Sequence, residues 1–70
     1  MEEIRDMEGR LVCYGDAFTG KLEIAYKKQQ IIMLLPVGGQ IVITREGVMT
    51  TIVRRTSSQF YVYSQRAVGA

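Results

Sequence analysis

Apolar and polar residues alternate along most of this chain, and the period is two. In Lys21–Lys27, Leu22, Ile24 and Tyr26 fall on one face; Lys21, Glu23 and Lys27 fall on the other, and Ala25 belongs to neither class. That is the pattern of a half-buried strand. Helical spacing would leave Ile24 on the polar side. Arg10–Tyr14 predicts a shorter strand with Leu11 and Cys13 on one face. Ile31–Leu35 is apolar at every position, between Gln29-Gln30 and Pro36. It is too short for a typical helix and predicts a strand buried on both faces. Gln40–Arg45, Val48–Arg54 and Gln59–Ser64 are rich in the β-branched and aromatic residues that favour strands.

The punctuation between these runs fits hairpins. Glu46-Gly47 and Gly38-Gly39 supply the positive φ of tight turns, and Thr56-Ser57-Ser58 marks a third. Gly15–Gly20 reads as a longer loop. Lys27–Gln30 must also turn, although it contains no Gly. The first eight residues fit two structures. Ile4, Met7 and Leu11 have helical spacing with Gly9 as a C-cap, while Glu3–Asp6 can pair with Arg10–Tyr14 across Met7-Glu8-Gly9. The hairpin agrees better with the β pattern downstream. No linker or low-complexity tract divides residues 1–70. The pattern therefore predicts a single all-β domain, an antiparallel meander of five to seven short strands. It should curl into a small barrel or a two-layer roll, which buries one face and limits the free edges.

Composition narrows the chemistry. The 70 residues contain no His, no Trp and one Cys. That excludes a His-based triad, a His-ligated metal site and an intramolecular disulfide. A domain this small hides only about 60% of the surface its unfolded chain exposes. Without disulfide or metal, very good packing or a partner subunit must supply the stability. The single unpaired Cys fits a reducing compartment, and the acidic start lacks the apolar core of a signal peptide. The longest apolar run, Ile31–Val37, is far too short to cross a bilayer as a helix. These features predict a cytoplasmic protein that does not enter the membrane.

The net charge of +2 is unevenly placed. Residues 1–8 hold Arg5 against Glu2, Glu3, Asp6 and Glu8, whereas residues 9–70 hold eight cations against Asp16, Glu23 and Glu46. A mildly basic body thus follows an acidic lead.

Several strings invite a chemical reading. Gly15-Asp16-Ala17-Phe18-Thr19-Gly20-Lys21 matches the G-x-x-x-x-G-K of a phosphate-binding loop. That mechanism needs Ser or Thr after the Lys to hold Mg²⁺ and a helix to face the phosphates. Here Leu22 follows, and the next segment alternates as a strand, so the glycines read as turn residues. Cys13 shares its face with Leu11 and reads as a buried thiol rather than a nucleophile. The carboxylates cluster at the N-terminus and in turns, where nothing shifts their pKa for general acid work. No catalytic residue, cofactor, metal or small-molecule substrate is expected.

Two surfaces remain. Ile32, Met33 and Leu34 belong to a run that is apolar on both faces; Val42 opposes Ile41 and Ile43, and Met49 opposes Val48. A second apolar face predicts contact with another chain, and these five residues are the candidate protein interface. The second surface is aromatic and basic. Arg54 and Arg55 precede a strand bearing Tyr61 and Tyr63, and Arg66 follows it. Small barrels bind single-stranded nucleic acid by stacking bases on such aromatics beside cations. Protein association, including homo-oligomerisation, is the function this sequence predicts first. Nucleic-acid binding is the alternative.

Overall fold

A computed structural model describes residues 1–67 of the chain. Seven strands follow one another: β1 (Glu2–Arg5), β2 (Leu11–Asp16), β3 (Lys21–Tyr26), β4 (Gln29–Leu34), β5 (Gln40–Arg45), β6 (Val48–Thr56) and β7 (Gln59–Arg66). There is no helix among the described residues, so none that could cross a membrane. The all-β expectation holds, and the ambiguous N-terminus is a hairpin strand. All pairing is antiparallel between consecutive strands, in two sheets of order β1-β2-β3-β4 and β5-β6-β7.

The expected meander is interrupted once, between β4 and β5, and the described residues form no closed barrel. The interruption lies at Leu35–Gly39. Pro36 has no N–H to donate to a ladder. The glycines after it are committed to β6 instead: Gly38 N–H donates to the Arg54 carbonyl at 2.7 Å, and Arg54 N–H donates to Gly39 at 3.0 Å.

Alternation decides what each sheet buries. Leu22 and Ile24 of β3 point inward with Ile4 of β1 and Cys13 of β2; Ile52 of β6 meets them from the second sheet. Ile41, Ile43, Phe60 and Val62 pack around this core, as does Met33. Burying a side chain such as Leu22 or Ile52 completely is worth roughly 1.5–3 kcal/mol. Two neighbours in β2, Val12 and Cys13, are both buried, against the alternation. A bulge explains this. Ile4 pairs with Cys13 and Arg5 with Leu11, so Val12 has no partner opposite. Gly15 serves the same core differently. A Cβ there would lie 2.8 Å from a ring carbon of Phe60, so its absence lets the second sheet settle onto the first.

Three of the four carboxylates in the acidic lead are paired within the molecule. Glu3 pairs with Arg5, Asp6 with Arg10, and Glu8 with Arg66, while Arg10 also reaches Glu46. Asp6 is the organising member. Its carboxylate accepts the Glu8 N–H at 2.8 Å and the Arg10 N–H at 3.0 Å, which shapes the β1–β2 turn. Burial by itself raises this carboxyl, but the two N–H donors and the Arg10 guanidinium outweigh it and hold the pKa below 3.8. A depressed folded-state pKa stabilises the fold above the unfolded value, and the contribution is lost as pH falls through the folded value. The urea midpoint is therefore expected to drop on acidification below pH 3.8, and Asp6→Asn should flatten that part of the profile. An unchanged acid limb in the variant would show that other carboxylates set it.

Candidate functional site

The two-residue turn Lys27-Lys28 sends β4 back along β3, with Tyr26 opposite Gln29 and Lys21 opposite Leu34. Lys27 adopts φ 57° in place of the glycine such a turn favours. β4 has a neighbour on one side only, so its other side is an open sheet edge. The edge direction of each backbone group follows from one bond. Leu35 N–H donates to the Gly20 carbonyl at 2.8 Å, on the β3 side. Antiparallel strands alternate, so Met33 and Ile31 also direct their backbone groups toward β3. Gln30, Ile32 and Leu34 direct theirs outward, where no strand among the described residues meets them.

The side chains make this edge unusual. Ile31 is 49% exposed, Ile32 57% and Leu34 73%. β4 has no charged residue, no Pro and no bulge, the devices that ordinarily keep an edge from pairing. The other edge of the same sheet, β1, is short and carries Glu2, Glu3 and Arg5. In the second sheet, Arg45 of β5 folds back to the Leu11 and Ala25 carbonyls, and β7 ends in Gln65 and Arg66.

The expectation that Ile31–Leu35 is buried on both faces is therefore corrected. Only Leu35, beyond the strand, is buried, and Met33 is half-buried against the core. Each sheet has one inner face, and a strand at its margin is covered from that side at most.

The five residues of the expected protein interface do not form one surface. Ile32 and Leu34 lie on the outer face of the first sheet, and Met33 lies on its inner face. Val42 and Met49 lie on the outer face of the second sheet, in register with Thr51 and Thr44.

The expected nucleic-acid face is also redistributed. Arg54 is the clearest correction: it is only 9% exposed and points into the molecule. Its Nε donates to the Ala17 carbonyl, Nη1 to Leu35 and Nη2 to Phe18, each at 3.0 Å. Alternation places it there: Val48, Thr50, Ile52 and Arg54 share the inner face of β6, and Arg54 still pairs regularly with Phe60; the bulge follows it, leaving Arg55 unpaired and turned outward. Arg66 is engaged by Glu8 at 2.5 Å. Arg55 lies over the Tyr61 ring at 4.4 Å, and Tyr61 and Tyr63 are 5.6 Å apart and half-exposed.

The glycine-bearing loop between β2 and β3 is built for a cation. Its N–H groups turn inward on the loop itself: Phe18 donates to the Asp16 carboxylate, Gly20 to the Asp16 carbonyl and Lys21 to the Thr19 hydroxyl. Its carbonyls at Ala17 and Phe18 hold the Arg54 guanidinium. A phosphate-binding loop has the opposite polarity, with its N–H groups free to face the anion. Cys13 is buried as expected, and burial pushes its thiol up to about 11 despite the nearby Arg45.

Two features have no clear signal in the sequence. One is the set of carbonyls that clamp Arg54, whose trace in the sequence is Gly20, placed where the clamp leaves no room for a side chain. The other is Tyr26, whose ring lies 5.1 Å from the Arg45 guanidinium and 5.5 Å from the Lys27 ammonium. No family model, curated protein or solved structure matches this chain.

Proposed function

We propose that this chain is a non-enzymatic, cytoplasmic two-layer roll that mediates protein association by accepting a further strand along β4. The observation that carries the reading is the open β4 edge, uncharged and apolar on both faces, with the Gln30, Ile32 and Leu34 backbone groups directed away from β3. A strand laid there satisfies these groups and covers Ile32 and Leu34 in one step. The lone free thiol of Cys13 supports the cytoplasmic placement. Nucleic-acid binding is less favoured, because Arg54 and Arg66 are both occupied within the molecule.

Two lysine substitutions test the edge. Leu34→Lys places a charge on the outer face and should yield a folded chain that no longer associates. Met33→Lys places the same charge against the core and should cost about 1–3 kcal/mol of stability. Light scattering and urea denaturation read the two effects separately. A wild-type chain that stays monomeric at about 100 µM, with a melting temperature independent of concentration, would overturn the self-associating form of this reading.

A further inference from the structure

We infer that the strand added to β4 is the β4 of a second copy, paired antiparallel across a two-fold axis at Ile32. The inference rests on β4 being the association site and adds the partner and the register.

Symmetry limits the choices sharply. Two copies of one strand pair antiparallel about an axis perpendicular to the sheet, and such an axis keeps inner faces together and outer faces together. The axis must therefore pass through a residue position or shift by whole residues, never between two residues. Placed at Ile32, it pairs Ile32 with Ile32 of the second copy and Gln30 with Leu34. Every outward-directed backbone group of Gln30, Ile32 and Leu34 then meets another outward-directed group. Moving the axis to Ile31 or Met33 leaves one of those residues without a partner.

Side chains agree with the same register. On the outer face, Ile32 meets its own copy and Leu34 covers the Gln30 stem. On the inner face, Ile31 meets Met33, extending the rows that already run to Ile24 and Leu22. Ile31 is 49% exposed although it lies on the core side, and this contact covers it. No like charges become neighbours. Glu23 is separated from its copy by both Ile32 residues, and Lys21 lies in the row that continues to Gln30 and Ala25 of the second copy. The product is one continuous eight-stranded sheet.

Cysteine cross-linking tests the register. Cα atoms of a hydrogen-bonded pair lie about 5.5 Å apart, within reach of a disulfide. Ile32→Cys should therefore oxidise to a covalent dimer. Cys13 is buried with its thiol pushed up to about 11, so the unsubstituted chain serves as the control. Met33→Cys alone faces its own copy diagonally at about 7–8 Å and should not cross-link. An equimolar mixture of Ile31→Cys and Met33→Cys should cross-link between the two variants. A dimer in light scattering that fails to cross-link at Ile32, or that cross-links through Met33→Cys alone, overturns the two-fold register. Association along β4 is read separately, since Leu34→Lys still reports whether β4 is the contact. A wild-type chain that never dimerises overturns the second-copy inference.

Discussion

Arg54→Ala is expected to lower stability by about 3–5 kcal/mol, because three carbonyls lose their donor at once and each buried orphan costs about 1–3 kcal/mol. Those carbonyls belong to Ala17, Phe18 and Leu35, on the β2–β3 loop and the β4–β5 connection, while Arg54 itself sits in β6. One guanidinium thus reinforces the backbone bonds that tie Leu35 to Gly20 and Gly38 and Gly39 to Arg54. For small domains the total stability is on the order of 5–15 kcal/mol, so the substitution should remove a large share of it. Arg54→Lys keeps the charge but cannot reach three divergent acceptors with one ammonium, and should lose roughly half as much. Urea denaturation followed by circular dichroism measures both. A loss under about 1 kcal/mol for Arg54→Ala would show that water replaces the guanidinium and that the clamp is not structural.

Gly20→Ala should be as damaging, for a steric reason. A Cβ at this position would lie 2.1 Å from the Leu35 carbonyl oxygen and 2.7 Å from Arg54 Nη1. The first is a backbone atom fixed by the Leu35 N–H bond to the Gly20 carbonyl, so it cannot move without breaking that junction. The φ of +81° adds about 1–2 kcal/mol for any L-residue. Gly38→Ala is the matched comparison, with φ +87° and open space around the added Cβ. It should show the backbone cost alone, so the urea midpoint of Gly20→Ala must fall well below that of Gly38→Ala. Equal midpoints would mean that the loop relaxes away from Leu35. Because Gly20 and Arg54 meet at the same carbonyl, the double variant should cost less than the sum of the two.

Much of the fold is legible in the residue order. The alternation of Leu22, Ile24 and Tyr26 locates β3 and its buried face, and Glu46-Gly47 places the β5–β6 turn. These are local matters: strand period and turn conformation depend on residues a few positions apart. The N-terminal hairpin was harder to read, because Ile4 and Met7 suit helical spacing equally well. Tertiary contact decided it, by pairing Ile4 with Cys13 and seating Ile4 in the core. The break between β4 and β5 was hidden for the same reason. Gly38-Gly39 announces a turn, but nothing local says that these glycines bond to Arg54.

The sequence by itself determined the strands, most turns, the small core and the presence of more apolar surface than one sheet face can hide. It also placed Ile32 and Leu34 on one face of a strand and Met33 on the other. Only the tertiary structure decided which face was which, because strand alternation is symmetric until a second sheet covers one side. It also decided that Ile31–Leu34 lies at an edge rather than within the sheet, since strand order is a long-range property. Arg54 and Arg55 show the limit most sharply. They are adjacent and chemically identical, yet one turns inward with Ile52 onto three carbonyls and the other turns outward over Tyr61. Alternation tells the two apart but not which of them faces the core, because the acceptors that bind Arg54 come from Ala17, Phe18 and Leu35, brought to it only when the two sheets pack.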